Sequence, residues 1–113
     1  MGQYYMSQFE YILFFRKGKG VKINNCGTSD ILSIPNKKIK DKNGKNLHDT
    51  EKPIELMQIL VENSSKENDI VLDPFMCIGS TPLACINSNR KYIGIELDKQ
   101  YFDIAVERMK NKE

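Results

Sequence analysis

The sequence contains no apolar run long enough to cross a bilayer, and only three of its 113 residues are cysteines. Its amino-terminal residues lack the charged and then apolar order of a secretory signal. Cys26, Cys77 and Cys85 form neither a C-x-x-C pair nor zinc-finger spacing, which argues against a disulfide framework or a structural metal. These absences predict a cytoplasmic protein with reduced thiols and no membrane partner.

The chain is short and its charge is unevenly distributed. With 40% hydrophobic residues it can bury one modest core, so we expect one domain or part of one. The net charge of +2 combines a basic region, residues 1–52, with an acidic one, residues 53–113. Most of the basic excess lies between Arg16 and Lys45, among Asn, Gly and Ser residues. This stretch predicts either a contact with nucleic-acid phosphates or an ordinary solvated loop.

The first half of the chain shows little periodicity. Glu10 to Arg16 is an aromatic and β-branched run that predicts a buried strand. Lys17 to Thr50 predicts a long loop with one short element around Ile31 to Ile34. A loop of this length is uncommon in a small domain unless it binds something or is partly disordered.

The second half alternates between helical and strand patterns. Helices are predicted at residues 53–63, from Pro82 to about Ser88, and from an N-cap at Asp98. Short buried strands are predicted at residues 70–72 and 92–95. This alternation is typical of an α/β fold, with an open, mostly parallel sheet and right-handed crossovers.

One motif carries the chemistry: Asp73-Pro74-Phe75-Met76-Cys77-Ile78-Gly79-Ser80-Thr81, followed by Glu96 at the end of the next predicted strand. In an open α/β sheet, ligands lie at the carboxyl ends of the strands, where Glu96 is placed to accept ribose hydroxyls. A carboxylate at Asp73 repels a pyrophosphate and suits a cationic cofactor, which favours S-adenosylmethionine over NAD. The alternative is an exposed Asp-Pro turn and an unrelated Glu.

The same residues resemble a known family. Asp73 to Thr81 is similar to the Asp-Pro-Phe-x-Gly-Ser-Gly-Thr motif of the amino-DNA methyltransferases, which act on adenine N6 or cytosine N4. Arg90 to Ala105 (RKYIGIELDKQYFDIA) looks like the segment that follows this motif, and His48 to Pro53 (HDTEKP) resembles the His-x-Thr-x-Lys-Pro motif that precedes it. Glu10 to Gly18 (EYILFFRKG) resembles a strand of the family. The order of the four motifs is that of the β-class arrangement.

The resemblance implies a partial Rossmann-like methyltransferase fold that binds S-adenosylmethionine and double-stranded DNA. Residues 1–18 would be a strand of a catalytic half, residues 19–50 a target-recognition loop, and residues 51–113 the cofactor-binding subdomain. His48 would take a structural or pocket-edge place. The implied cofactor-binding residues are Thr50, Lys52, Asp73, Pro74, Phe75, Cys77, Gly79, Ser80, Thr81 and Glu96. The implied DNA-binding residues are Lys17, Lys19, Lys22, Lys37 and Lys38.

The sequence departs from the family in two places. None of its prolines (Pro35, Pro53, Pro74 and Pro82) is adjacent to another, so the Pro-Pro-aromatic loop that holds the target amine is absent. Cys77 stands where the motif has glycine, and a Cβ there costs about 1–2 kcal/mol if φ is positive. A nucleophilic role for Cys77 has no Pro-Cys context to support it.

These departures predict a fragment that is inactive alone, whether truncated, degenerate or completed by another polypeptide. The missing central strands would leave the sheet incomplete, with an edge at Val71 that favours self-association. The alternative function is a non-enzymatic module that binds DNA or the cofactor.

Overall fold

The computed structural model describes residues 9–35, 40, 42–45 and 51–112, and all five of its helices and strands lie in the second half of the chain. In order they are α1 (Ile54–Ser64), β1 (Ile70–Asp73), α2 (Ser80–Asn87), β2 (Lys91–Gly94) and α3 (Lys99–Lys110). The predicted alternation is confirmed, with each boundary within about two residues of the expected position.

The two strands are parallel and α2 connects them. Ile70 lies opposite Lys91, and Asp73 lies opposite Gly94, so both strands end at the same edge. Within the described residues the sheet has only these two strands. The fold is a partial Rossmann-like α/β unit, as the sequence predicted.

Local sequence explains where the helices begin. Asp98 precedes α3, and its side chain accepts a hydrogen bond from the backbone N–H of Tyr101 at 3.0 Å. Such an N-cap satisfies one of the free amides at the start of a helix. Pro53, expected inside α1, is its N-cap instead. Gly79 precedes α2 in a left-handed conformation with φ of 91°.

The core lies around α2, which packs against α1, α3 and one face of the sheet. Its residues Leu83, Ala84 and Cys85 are almost completely buried. The opposite face of the sheet is bare: Ile70, Leu72, Ile93 and Ile95 are each more than half exposed. The residues that point to the α2 face are only half-buried, so the expectation of buried strands is met in part on that face and is wrong for the other.

The strand predicted at Glu10 to Arg16 is wrong. These residues form no regular element, and Tyr11 and Phe15 are more than four-fifths exposed. A strand exists only when a neighbouring strand satisfies its backbone groups, and the described chain offers this segment no partner. The short element predicted at Ile31 to Ile34 is also wrong, since these residues adopt no helix or strand.

The amino-terminal segment is nevertheless held at both ends of α1. Near the start of α1, Lys52 Nζ lies 2.5 Å from Glu10 Oε2. Near its end, Asn24 Nδ2 donates to the carbonyl oxygens of Glu62 and Ser65 at 2.7 and 2.6 Å. The Asn24 backbone N–H also donates to the Asn63 carbonyl at 3.0 Å. Residues 11–23 therefore connect two contacts that are one helix length apart.

None of the helices in the described part of the chain is both long and apolar enough to cross a membrane.

Candidate functional site

A cleft of about 290 Å³ lies beside the turn that follows β1. The turn comprises residues 74–79, and the cleft therefore opens at the edge where both parallel strands end. Ligands bind at this edge in open α/β sheets. The cleft is lined by Glu51, Lys52, Met57, Asp73, Phe75, Met76, Cys77, Ser80 and Thr81.

Short hydrogen bonds fix the path of this turn. Asp73 Oδ1 accepts from the Phe75 N–H at 2.9 Å, which closes an Asx turn directly after β1. Met76 N–H donates to the Ile95 carbonyl at 3.0 Å, so the turn is tied to the residue after β2. Gly79 N–H then donates back to the Met76 carbonyl at 2.8 Å.

Two residues of the turn adopt the left-handed conformation. Cys77 has φ of 51° and Gly79 has φ of 91°. Glycine takes this conformation without steric cost, whereas a residue with a Cβ does not. The expectation that Cys77 occupies a glycine-type position is therefore confirmed. At Gly79 a Cβ would also lie 3.2 Å from the Cβ of Ala105 in α3, which is closer than an ordinary van der Waals contact.

Glu96 connects the end of β2 to this turn. Its Oε1 accepts the Cys77 N–H at 3.0 Å, and its Oε2 accepts the Asp98 N–H at 2.8 Å. A carboxylate has about four acceptor positions, so each oxygen can still accept one more hydrogen bond. The arrangement fixes the carboxylate at the ligand-binding edge and suits it to a pair of neighbouring hydroxyl groups.

The other predicted cofactor residues differ in exposure. Phe75 lines the cleft but is 81% exposed, so its ring offers a free apolar surface. Pro74 is also exposed. Lys52 lines the cleft, while its ammonium group already pairs with Glu10. Ser80 and Thr81 are buried at the start of α2, and the Ser80 hydroxyl donates to Glu51 Oε1 at 3.1 Å.

Sequence reasoning missed Glu51 and Arg108. Glu51 is 5% exposed and lines the cleft, and its Oε1 accepts from Arg108 Nη1 at 2.9 Å. The same nitrogen donates to the Ile78 carbonyl at 2.7 Å. Glu51 lies within the His-Asp-Thr-Glu-Lys-Pro motif, and this position could have identified it as a candidate site residue. Arg108 lies in the last turn of α3, and no local pattern distinguished it.

The surroundings of the Cys77 thiol disfavour its ionisation. Burial raises its pKa, and the nearby carboxylates of Glu96 and Asp73 raise it further. A nucleophilic cysteine needs the opposite shift, because the thiolate is the reactive form. Burial likewise raises the pKa of Cys85 inside α2.

Several predicted residues lie outside the site or outside the described residues. Lys17, Lys19 and Lys22 are exposed or half-exposed in the segment that connects the two ends of α1. Thr50, Lys37, Lys38 and His48 lie outside the described residues. In the part of the chain that the structure describes, no cluster of metal-ligating side chains is present.

A family model described as DNA methylase, of the N6 and N4 type, matches residues 1–107. The chain belongs to this DNA methylase family. The cofactor of this family is S-adenosylmethionine, and M1.HpyAVI, which this chain resembles, has been solved in complex with it.

Relatives with known sequences confirm the family membership over part of their length. The Type II methyltransferase M.HinfI of Haemophilus influenzae is 43% identical over 79 residues, which are 70% of this chain and 22% of that protein. The putative methylase YubD of Escherichia coli is 47% identical over 66 residues, which are 58% of this chain and 29% of that protein. The chain thus spans about a quarter of the length of these relatives.

Solved structures agree with this assignment. The M1.HpyAVI complex with S-adenosylmethionine is 39% identical with a TM-score of 0.59, covering 77% of this chain and 42% of that one. PvuII DNA methyltransferase, described as cytosine-N4-specific, has a TM-score of 0.62 at 18% identity, covering 79% of this chain and 38% of that one. The second likeness concerns the fold alone.

Proposed function

We propose that this chain is the cofactor-binding part of a DNA methyltransferase and does not methylate DNA alone. The acceptor is the exocyclic amine of adenine (N6), with cytosine N4 as the alternative. One observation carries the proposal: Glu96 is fixed against the Cys77 N–H beside Asp73, at the edge where both strands end. A cytoplasmic location remains a prediction from the sequence.

The residues at this edge fit S-adenosylmethionine, which supplies an electrophilic methyl group on its sulfonium. Glu96 has free acceptor positions for the two ribose hydroxyls. The exposed ring of Phe75 provides an apolar surface for the adenine. Asp73 lines the cleft and brings negative charge toward the sulfonium and the ammonium group. Glu51 also lines the cleft, where its charge is paired with that of Arg108. We assign the methionine carboxylate to the side of the cleft that Lys52 lines. We assign Thr50 to the same end of the cofactor because of the family resemblance alone.

The absence of adjacent prolines in the sequence supports the proposed lack of activity. The Pro-Pro-aromatic loop of the family supplies acceptors for the target amine and a ring that stacks on the flipped base. A bound cofactor without these groups leaves the base unpositioned, and positioned acceptors are what the transition state requires. We therefore assign residues 51–113 to cofactor binding and catalysis to polypeptide outside this sequence.

DNA contact is proposed for the basic region of residues 19–50 and the lysines just before it. Lys17, Lys19 and Lys22 follow one another along a single surface segment. Lysines arranged in this way neutralise successive phosphates and release counterions. We propose the same role for Lys37 and Lys38, on the sequence pattern alone.

The bare face of the sheet favours a complementing polypeptide over an isolated binding module. Ile70, Leu72, Ile93 and Ile95 form one apolar patch, and β1 has a free edge beside it within the described residues. Such a surface is stabilised by further strands and helices. The complement would carry the catalytic loop, and residues 1–18 would join its sheet as a strand. Self-association through the same edge is the competing outcome.

Cofactor binding is tested by calorimetry with Asp73→Asn. Asparagine retains an oxygen that accepts the Phe75 N–H, so the turn is preserved while the charge is lost. We expect affinity for S-adenosylmethionine to fall by about tenfold or more. Asp69→Asn is the matched control, since Asp69 precedes the same strand at its other end and caps the Lys66 N–H. Equal affinities in the two variants would refute the assignment of Asp73.

Methyl transfer is tested with labelled cofactor and mixed-sequence DNA, followed by nucleoside analysis. The chain alone should transfer no label. Addition of a fragment that carries the Pro-Pro-aromatic loop and the central strands should produce labelled N6-methyladenine, or N4-methylcytosine if the alternative acceptor is correct. Robust transfer by the chain alone would refute the proposal that this chain binds the cofactor and another polypeptide supplies the catalytic loop. Failure with the complement, together with intact cofactor binding, would favour the binding module.

A further inference from the structure

Arg108 contacts the cofactor turn through the backbone of that turn. One nitrogen, Nη1, donates to the Ile78 carbonyl at 2.7 Å and to Glu51 Oε1 at 2.9 Å. The arginine side chain is 16% exposed and that of Glu51 is 6% exposed. Hydrogen bonds between charged partners in such a setting are stronger than those between neutral groups.

The contacted carbonyl controls the conformation of the turn. Ile78 lies between Cys77 and Gly79, the two residues with positive φ, and its own side chain is completely buried. A rotation of the peptide after Ile78 would change the backbone angles at Gly79 and break its hydrogen bond to Met76. The direction of this carbonyl therefore determines whether the turn keeps its shape.

Helix α3, which carries Arg108, also packs against the turn and limits its movement. Ala105 lies one turn earlier on α3, and residues three apart share a helix face. A Cβ built on Gly79 would lie 3.2 Å from the Ala105 Cβ, so the turn rests directly on α3. Glu51 accepts from both Arg108 and the Ser80 hydroxyl at the start of α2.

We propose that Arg108 is a positioning residue for the cofactor turn, with Glu51 as its buried charge partner. Arg108 is not among the residues that line the cleft. It holds the Ile78 carbonyl in place, so that the Cys77 N–H stays directed at Glu96. The link to cofactor binding rests on the function proposed above, whereas the effect on the turn itself does not depend on it.

A strained turn depends more on this contact than a relaxed one. Cys77 has a Cβ at positive φ, and the carbonyl contact of Arg108 opposes escape from that conformation. In a Cys77→Gly background the strain is absent, so the loss of Arg108 should have a smaller effect. Residues that act on one structural element show such non-additivity, whereas independent sites do not.

The experiment measures amide hydrogen exchange in the ligand-free protein. Arg108→Met should accelerate exchange of the Cys77 and Gly79 amides by about tenfold, as expected for loss of a charge-assisted hydrogen bond. The Arg90 amide, which donates to the Cys85 carbonyl at the far end of α2, should change less than about twofold. Lys99→Met is the matched control, because it removes an exposed ion pair with Asp103 from the same helix.

Removal of Arg108 leaves a buried carboxylate without this partner, which can unfold the protein for an unrelated reason. The same comparison is therefore made between Glu51→Gln and the double variant Glu51→Gln with Arg108→Met, in which removal of Arg108 leaves no buried carboxylate unpaired. Two results support the proposal: faster exchange confined to the turn, and an effect of Arg108→Met that shrinks by about threefold or more in the Cys77→Gly background. Equal exchange at the turn with and without Arg108 in the Glu51→Gln background would overturn it. Equal effects of Arg108→Met in the wild type and in Cys77→Gly would overturn it as well.

Cofactor affinity is the second readout. If the wild type binds S-adenosylmethionine, Arg108→Met should weaken binding about tenfold and Arg108→Lys should restore part of it, because lysine still donates. If the wild type does not bind, the proposed function fails while the exchange result decides the role of Arg108.

Discussion

The Cys77 N–H donates to the Glu96 carboxylate at 3.0 Å, so a residue after β2 holds the turn that follows β1. The two residues are 19 positions apart, one crossover along the chain. Since the other carboxylate oxygen accepts the Asp98 N–H, Glu96 also shapes the N-cap of α3. One side chain therefore links the turn, the second strand and the last helix.

Replacement of Glu96 by Gln should weaken both cofactor binding and the fold. The amide has a single acceptor oxygen, so one of the two backbone N–H groups faces an NH₂ donor instead. We expect affinity for S-adenosylmethionine to fall about 10–100-fold and the free energy of unfolding to fall by about 1–2 kcal/mol. Calorimetry and denaturant unfolding measure the two effects. Glu107→Gln, exposed on α3, is the control that should change neither.

Replacement of Cys77 by Gly should strengthen the site. Relief of positive-φ strain is expected to raise the free energy of unfolding by about 1–2 kcal/mol. Affinity for the cofactor should rise about 5–30-fold if binding requires the same conformation. Cys77→Ala is the matched control, since alanine removes the thiol but keeps the Cβ. A gain in Cys77→Ala equal to that in Cys77→Gly would assign the effect to the thiol rather than to the backbone.

Stability should fall at alkaline pH through Cys77. The pKa of its thiol is raised in the folded state by burial and by the Glu96 and Asp73 carboxylates. The folded protein therefore holds the proton more tightly, and this contribution is complete below the unfolded value, about 8.5, and is lost as pH rises through the folded value. Thermal melts from about pH 7 to 10 should show a steeper loss for the wild type than for Cys77→Ala. Cys85 titrates in both proteins, so identical profiles would contradict the assignment to Cys77.

Removal of the Asn24 side chain should release the segment of residues 11–23. Its amide donates to two carbonyls near the end of α1, where the helix leaves its last acceptors unsatisfied. Asn24→Ala should lower the free energy of unfolding by about 1 kcal/mol and speed tryptic cleavage at Lys17, Lys19 and Lys22. Asn87→Ala, exposed at the end of α2, should do neither. Unchanged cleavage would mean that the Glu10 to Lys52 contact and the backbone hydrogen bond from Asn24 to Asn63 hold the segment without the Asn24 side chain.

The sequence predicted the elements whose signals are local. The apolar stripe of α1, the cap at Asp98 and the brief runs of both strands each depend on neighbouring residues, and all were placed within about two residues. The turn and the backbone strain at Cys77 were both predicted, because positive φ at a glycine position is a property of the local backbone. Glu96 was placed correctly because parallel strands end at the same edge of the sheet.

Features that depend on distant partners were not predictable. Glu10 to Arg16 has the composition of a strand, yet strand formation depends on a neighbour that the pattern of the segment does not describe. The contact between Arg108 and Glu51 joins residues 57 positions apart, and neither residue stands out in its own window. The exposure of one face of the sheet could not be predicted from the sequence either, because the residues of that face are as apolar as those of a buried strand.

The contacts at the two ends of α1 determine the distance between the two points where the amino-terminal segment is anchored. An 11-residue helix is about 16 Å long, and residues 11–23 are held at one end near the cleft and at the other end by Asn24. At about 3.4 Å per base pair, this length corresponds to about five base pairs of B-form DNA. If the DNA contact proposed above is made, Lys17, Lys19 and Lys22 belong to a segment whose two anchor points are separated by roughly half a helical turn of duplex.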